Sequence, residues 1–140
     1  MCIMQKILIL EDDEIKYKRV LECLHELLGT NYEYCHYKAF NIGCAEFLSG
    51  DYCLGIIDNN MPRFYDDMHN NFVTDGVYEI LANMEFEEVY TPVIACSSDD
   101  IKLKEDYPNY IGAVKYAPNI DIKEKFNELL EIWKHKYMNK

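Results

Sequence analysis

Three apolar runs in this sequence end in oxygen-bearing side chains. KILIL (6–10) is followed by Glu11, Asp12 and Asp13, GII (55–57) by Asp58, Asn59 and Asn60, and PVIAC (92–96) by Ser97, Ser98, Asp99 and Asp100. Carboxylates brought close together raise one another's pKa unless a cation sits among them. An oxygen-only site with few protein ligands suits Mg2+, which keeps waters and takes one or two carboxylates plus a phosphate oxygen. A carboxylate beside such a metal can attack phosphorus and form an aspartyl-phosphate, and a nearby hydroxyl can donate to the phosphoryl oxygens. Plainer roles compete: Glu11–Asp13 could be charges favoured by a helix dipole, and Ser97 and Ser98 could cap a helix.

These residues meet only if the strands that carry them lie side by side and parallel. Periodicity predicts strands over 6–10, 32–40, 52–57, 91–96 and 110–117, with Pro92 at the start of the fourth, where it is tolerated. Between them come helical patterns. Glu14–Leu28 places Tyr17, Leu21, Leu24 and Leu28 on one face with Val20 and Leu27 beside them, and Gly29 ends it. Asn41 is expected to cap a short helix containing Ala45 and Leu48. Asp75-Gly76 opens a helix with Val77, Ile80, Leu81 and Met84 on one stripe. Ser98–Asp106 is expected to be a weak helix capped by Ser98, ended by Tyr107-Pro108. Asp121–Met138 carries Ile122, Phe126, Leu129, Leu130 and Trp133 on one face. Asp13 is assigned to capping the first helix rather than to a ligand role. Five β–α repeats predict an α/β fold with a parallel sheet covered on both faces. Sites in such sheets lie beyond the carboxyl ends of the strands.

With 140 residues the chain is expected to form one domain, and no run approaches the ~18 apolar residues of a membrane helix. The N-terminus lacks the cleavage site of a secretory signal, so a cytoplasmic location is expected. A net charge of −11 argues against direct nucleic-acid binding. The six cysteines form no C-x-x-C pair and read as reduced fillers, and four scattered histidines offer no zinc site.

The pieces KILILEDD, IIDNNMP, DG before a helix, PVIACSS and GAVKY occur in this order over nearly the whole chain. In this they resemble a response-regulator receiver domain of two-component signalling. The resemblance implies a doubly wound, flavodoxin-like (βα)5 sheet of order 2-1-3-4-5. It implies a phosphoryl group accepted on Asp58 from a histidine kinase or phosphotransfer protein of a phosphorelay. Mg2+ would be held by Glu11, Asp12, Asp58 and the backbone carbonyl of Asn60. Ser97 would contact the phosphoryl group, with Ser98 as a weaker contact, and Ser97 and Tyr116 would form the switch. Tyr116 has the family's spacing, nineteen residues after Ser97, although ordinary strand packing would also suit it. Asn60 and Asp99 would tune dephosphorylation. The chain would be a stand-alone switch without an output domain, signalling through a downstream protein partner, and not an enzyme beyond handling its own phosphate. Its oligomeric state is left open.

Two departures stand out. The family's lysine at the end of the fifth strand falls at Asn119, an amide that would take its place as a phosphoryl contact. Lys115 lies four residues back, roughly 13 Å along an extended strand, and would serve only if that strand were shifted. The second departure is an insertion at about 63–74, RFYDDMHNNFVT, where the family usually has only a few residues. It is either a solvated loop or a lid offering Phe64, Tyr65, Met68 and Phe72 as apolar contacts and Asp66, Asp67 and His69 as polar ones. The missing lysine supports an alternative, a pseudo-receiver interaction module without phosphate control. A metal-dependent phosphohydrolase with Asp58 as nucleophile ranks last, because such enzymes need a second acid where Asn60 stands.

Overall fold

The computed structural model describes residues 4–65 and 71–138. In chain order the elements are β1 (Gln5–Leu10), α1 (Glu14–Leu28), β2 (Tyr32–Tyr37), α2 (Phe40–Leu48), β3 (Leu54–Ile57), β4 (Met61–Pro62), β5 (Phe72–Val73), α3 (Gly76–Phe86), β6 (Val93–Ser97), β7 (Tyr110–Lys115) and α4 (Ile122–Trp133). A π-helical turn, Lys134–Met138, continues α4. Five strands form one parallel sheet of order β2-β1-β3-β6-β7. With the two-residue strands of the insertion left out of the count, this is the expected order 2-1-3-4-5.

Both faces of the sheet are buried, and the alternation along β1 shows how. Leu8 and Leu10 face a core shared with α2 and α3, which also holds Phe40, Phe47, Ile57, Ile80, Leu81 and Ala95. Ile7 and Ile9 face the opposite core, with Val20 and Leu24 of α1 and Phe126, Leu130 and Trp133 of α4. Successive side chains of a strand point to opposite faces, so a strand covered on both sides must be apolar throughout. Trp133 is fully buried and its indole N–H donates to the Cys53 carbonyl at 3.1 Å. Gly29 ends α1 with a φ of 75°, as expected for a helix stop. Among the described residues no helix is long and apolar enough to cross a membrane. Cys23, Cys35, Cys44, Cys53 and Cys96 are free thiols.

Three local expectations are corrected. No helix connects β6 to β7: 98–109 runs over the surface in bends and turns, leaving four α-helices among the described residues. The reason lies in the pattern. Ile101 and Leu103 tuck against the core while Lys102 and Lys104 are exposed, a period of two that no helix face can use. Ser98 therefore caps nothing and is exposed. Asn41 does not cap α2 either. Ala39 holds the N-cap position without a side-chain bond, and Asn41 lies inside the helix. Its N–H is satisfied by the Arg63 carbonyl at 3.1 Å, and its Oδ1 accepts from Arg63 Nη1 at 3.1 Å.

The insertion accordingly begins as structure. β4 and β5 pair antiparallel, with Met61 and Val73 in the α2/α3 core. Arg63 grips Glu79 of α3 with both guanidinium nitrogens, at 3.2 and 3.3 Å. The Tyr65 hydroxyl accepts from the Lys38 N–H at 3.2 Å. Phe64, Tyr65 and Phe72 are exposed. Asp66, Asp67, Met68 and His69 lie outside the described residues.

The two-sided core makes α4 part of the fold rather than an appendage. Phe126→Ala should lower the free energy of unfolding by about 3–5 kcal/mol, measured by urea denaturation. A loss below about 1 kcal/mol would mean that α4 does not close its face of the sheet.

Candidate functional site

The strand exits that the sequence singled out do converge. Leu10 and Ile57 are register partners in the sheet, so Glu11 and Asp58 leave adjacent strands at the same level. The Asp58 N–H donates to the Leu10 carbonyl at 3.0 Å and the Glu11 N–H to the Tyr37 carbonyl at 3.0 Å, extending the ladder into the site. Glu11, Asp12 and Asp58 each offer a carboxylate oxygen within 4.8 Å of the others. Glu11 and Asp58 are buried, at 3 % and 6 % exposure, and Asp12 is half-buried.

Asp13 caps α1, its Oδ1 accepting from the Ile15 and Lys16 N–H groups at 2.9 and 3.1 Å. That cap fixes the first turn of α1 and with it Lys16, which sequence reasoning passed over. Its ammonium lies 2.7 Å from Glu11 Oε1, 3.1 Å from Asp58 Oδ1 and 2.8 Å from the Cys96 carbonyl. One side chain thus ties together the ends of β1, β3 and β6. A signal was available. The fully buried face of α1 is Val20, Leu24 and Leu28, and Lys16 stands one helical step before Val20 on the same stripe. A lysine on a buried stripe must meet acids or carbonyls.

Burial pushes the Glu11 carboxyl up, the Asp58 charge adds to this and Lys16 pulls it back, leaving a pKa of about 8. Burial raises Asp58 as well, against the pull of Lys16. Asp12 is raised by burial and then by Asp58. Burial disfavours the Lys16 ammonium, but Asp58 and Glu11 outweigh it and hold the pKa above the usual lysine value.

The remaining candidates are distributed unevenly. Asn60 Nδ2 donates to the Asp99 carboxylate, joining the two positions assigned to dephosphorylation. Ser97 is buried and its Oγ accepts from the Asp99 N–H at 3.2 Å. Ser98, Lys16 and Tyr116 line an open cleft of about 490 Å3 with the three acids. The Tyr116 hydroxyl accepts from Arg19 Nη1 at 3.1 Å, and its ring centroid lies 5.3 Å from the Lys16 ammonium. Lys115, in register with Ser97, is exposed and pairs with Asp100 at 2.8 Å. Asn119 stands in an exposed turn and does not line the cleft.

Asn59, given no role from sequence, holds the next helix in place. Its Nδ2 donates to the Thr74 carbonyl at 3.1 Å and its Oδ1 accepts from the Val77 N–H at 3.2 Å. Gly76 permits this approach: a Cβ there would lie 3.1 and 3.2 Å from the carbonyl oxygens of Asp58 and Asn59. This is the physical content of the Asp-Gly pair.

No protein-family model matches this sequence, and no curated protein does. Solved structures do match. A CheY-like response regulator receiver domain protein from Methanospirillum hungatei superposes with a TM-score of 0.67 at 15 % identity, over 99 % of this chain and 100 % of the other. A CheY-like receiver domain from Methylobacillus flagellatus gives 0.63 at 19 %, over 94 % and 99 %. The receiver domain of Francisella response regulator 1452 gives 0.60 at 18 %, over 94 % and 98 %. The chain has the fold of a response-regulator receiver domain, over nearly its full length.

The donor set suits the Mg2+ that such a fold implies. Three carboxylates, one of them half-exposed, offer hard oxygen ligands and leave positions for water. A carboxyl whose pKa is raised keeps its proton from the ordinary carboxyl range up to its new value, and a bound cation must displace that proton. Mg2+ affinity, followed by amide chemical shifts, should therefore weaken as pH falls from about 8 towards 5, with Glu11 the main contributor. Asp12→Ala should abolish the Mg2+ response at either pH. An unchanged response in that variant would place the metal elsewhere.

Proposed function

We propose that this chain is a phosphoryl-accepting signalling receiver that takes its phosphate on Asp58. The observation that carries this reading is the buried Asp58 carboxylate at the exit of β3, with oxygens of Glu11 and Asp12 within 4.8 Å. Asp58 Oδ1 is held by the Asn59 N–H at 2.8 Å and by Lys16, so Oδ2 is the oxygen not tied to the ammonium. In the reaction an Asp58 oxygen forms a bond to phosphorus. The bond from phosphorus to the donor's leaving atom breaks, and its electron pair departs with the donor. A carboxylate nucleophile needs no proton removed. Glu11, Asp12, Asp58 and the Asn60 carbonyl would hold Mg2+, which supplies charge neutralisation among the acids and on the phosphoryl oxygens. The Asn59 N–H and the Lys16 ammonium, both on Oδ1, keep the nucleophile in a fixed orientation.

The donor is a histidine kinase or phosphotransfer protein, and the output is a protein contact rather than chemistry on a further substrate. The net charge of −11 disfavours direct nucleic-acid contact. Asn60 and Asp99, whose side chains bond each other, would orient an attacking water and shorten the life of the phosphoryl group. One observation favours a second reading, a pseudo-receiver that never takes phosphate. Lys16 already bridges Glu11 and Asp58 as a fixed counterion, and Asn119 puts no charge in the cleft.

Acetyl phosphate with Mg2+ decides between them. One phosphoryl group should be added, labile to hydroxylamine and absent from Asp58→Asn, as read by intact mass. Phosphate retained in Asp58→Asn would mean another acceptor. No phosphate on the wild type from any donor would establish the pseudo-receiver.

A further inference from the structure

Resting on the phosphoacceptor reading, we infer that Lys16, delivered by α1, is the catalytic ammonium of this site. It would hold the Asp58 carboxylate for attack and neutralise the charge that gathers on the transferring phosphoryl group.

The geometry assigns this role to Lys16 by what it touches. Its three N–H donors meet Glu11, Asp58 and the Cys96 carbonyl at 2.7, 3.1 and 2.8 Å, and its side chain is 7 % exposed. Among the described residues no other ammonium or guanidinium bonds to Asp58. Lys115 lines the same cleft, but its ammonium is engaged with Asp100 at 2.8 Å and bonds none of the three acids, and Arg19 is engaged with Tyr116 and with the carbonyls of the loop that follows β7.

Charge counting supports the assignment. With their protons displaced by a bound cation, Glu11, Asp12 and Asp58 would carry three negative charges and Lys16 one positive, leaving two, which one divalent cation cancels. Without Lys16 the same site with one Mg2+ would keep a negative charge facing an incoming phosphate. The position is also costly for a lysine. An apolar residue there would continue the stripe of Val20, Leu24 and Leu28 without stripping an ammonium of its water. Packing alone therefore does not account for Lys16, whereas its contact with the nucleophile does. The transfer step is unchanged: the Asp58–phosphorus bond forms, the donor's bond to phosphorus breaks, and the ammonium keeps its proton throughout.

Two measurements on Lys16→Met separate this role from a structural one. Phosphorylation from acetyl phosphate with Mg2+ should slow by about tenfold or more, the loss expected for one charge-assisted contact. Mg2+ affinity at pH 8 should stay at wild-type strength or tighten, because a competing cation has left the carboxylates. A variant that phosphorylates at the wild-type rate overturns the role of Lys16 and leaves Asp58 as the acceptor. Loss of phosphorylation and Mg2+ binding together also overturns it, since the lysine would then only hold the site in shape. A wild type that takes no phosphate overturns the acceptor reading and this inference with it. If the methionine variant does not fold, Lys16→Gln takes its place in both measurements, and each outcome carries the same meaning.

Discussion

Burying Lys16 strips an ammonium of its water, a penalty of several kcal/mol that only well-made contacts offset. The offset here comes from two carboxylates and a carbonyl, each from a different strand. The dependence runs both ways. Without the ammonium, Glu11 and Asp58 would face each other across the open end of the sheet with nothing between them. Without the acids, the first turn of α1 could not bring a charge against the core. The stripe of α1, the register of β1 with β3 and the cap at Asp13 are all constrained by this one meeting.

The register is what makes the meeting possible. Parallel strands end at a common rim, and the pairing of Leu10 with Ile57 sets Glu11 beside Asp58. The ladder continues one residue past each strand, through the bonds from Asp58 to Leu10 and from Glu11 to Tyr37. The backbone of the site is therefore as fixed as the sheet. On the far side, Asn59 and Gly76 bring the start of α3 against the exit of β3. The nucleophile candidate thus sits between two helix starts and cannot shift without disturbing both cores.

Around this fixed centre the periphery departs from a plain βα repeat. The β6–β7 connection lacks a helix because its apolar residues alternate instead of forming a stripe. The insertion docks through Arg63 onto α2 and α3, where it completes the start of α2. The loop after β7 is held by Arg19, which bonds Tyr116 and the Ile120 carbonyl from the helix that also carries Lys16. Both arginines use a planar donor fork to gather several acceptors at once.

The amino-acid sequence by itself determined the layered parallel sheet and the convergence of Glu11, Asp12 and Asp58. These follow from local apolar periods and from acids placed just beyond them, which any parallel packing brings to one edge. Only the tertiary structure decided which cation stands among those acids. Counting along β7 pointed to Asn119 or Lys115, because sequence distance measures reach along one strand. Lys16 reaches the site across the sheet from a helix, and its role depends on the rotation of α1 over the core, which the apolar pattern specified only to within a residue. Tyr17 and Leu21 were as apolar as the true buried face, and the acids waiting under Lys16 belong to other strands. The ends of α2 and the fate of 98–109 were likewise set by partners distant in sequence, Arg63 for one and the α2/α3 core for the other.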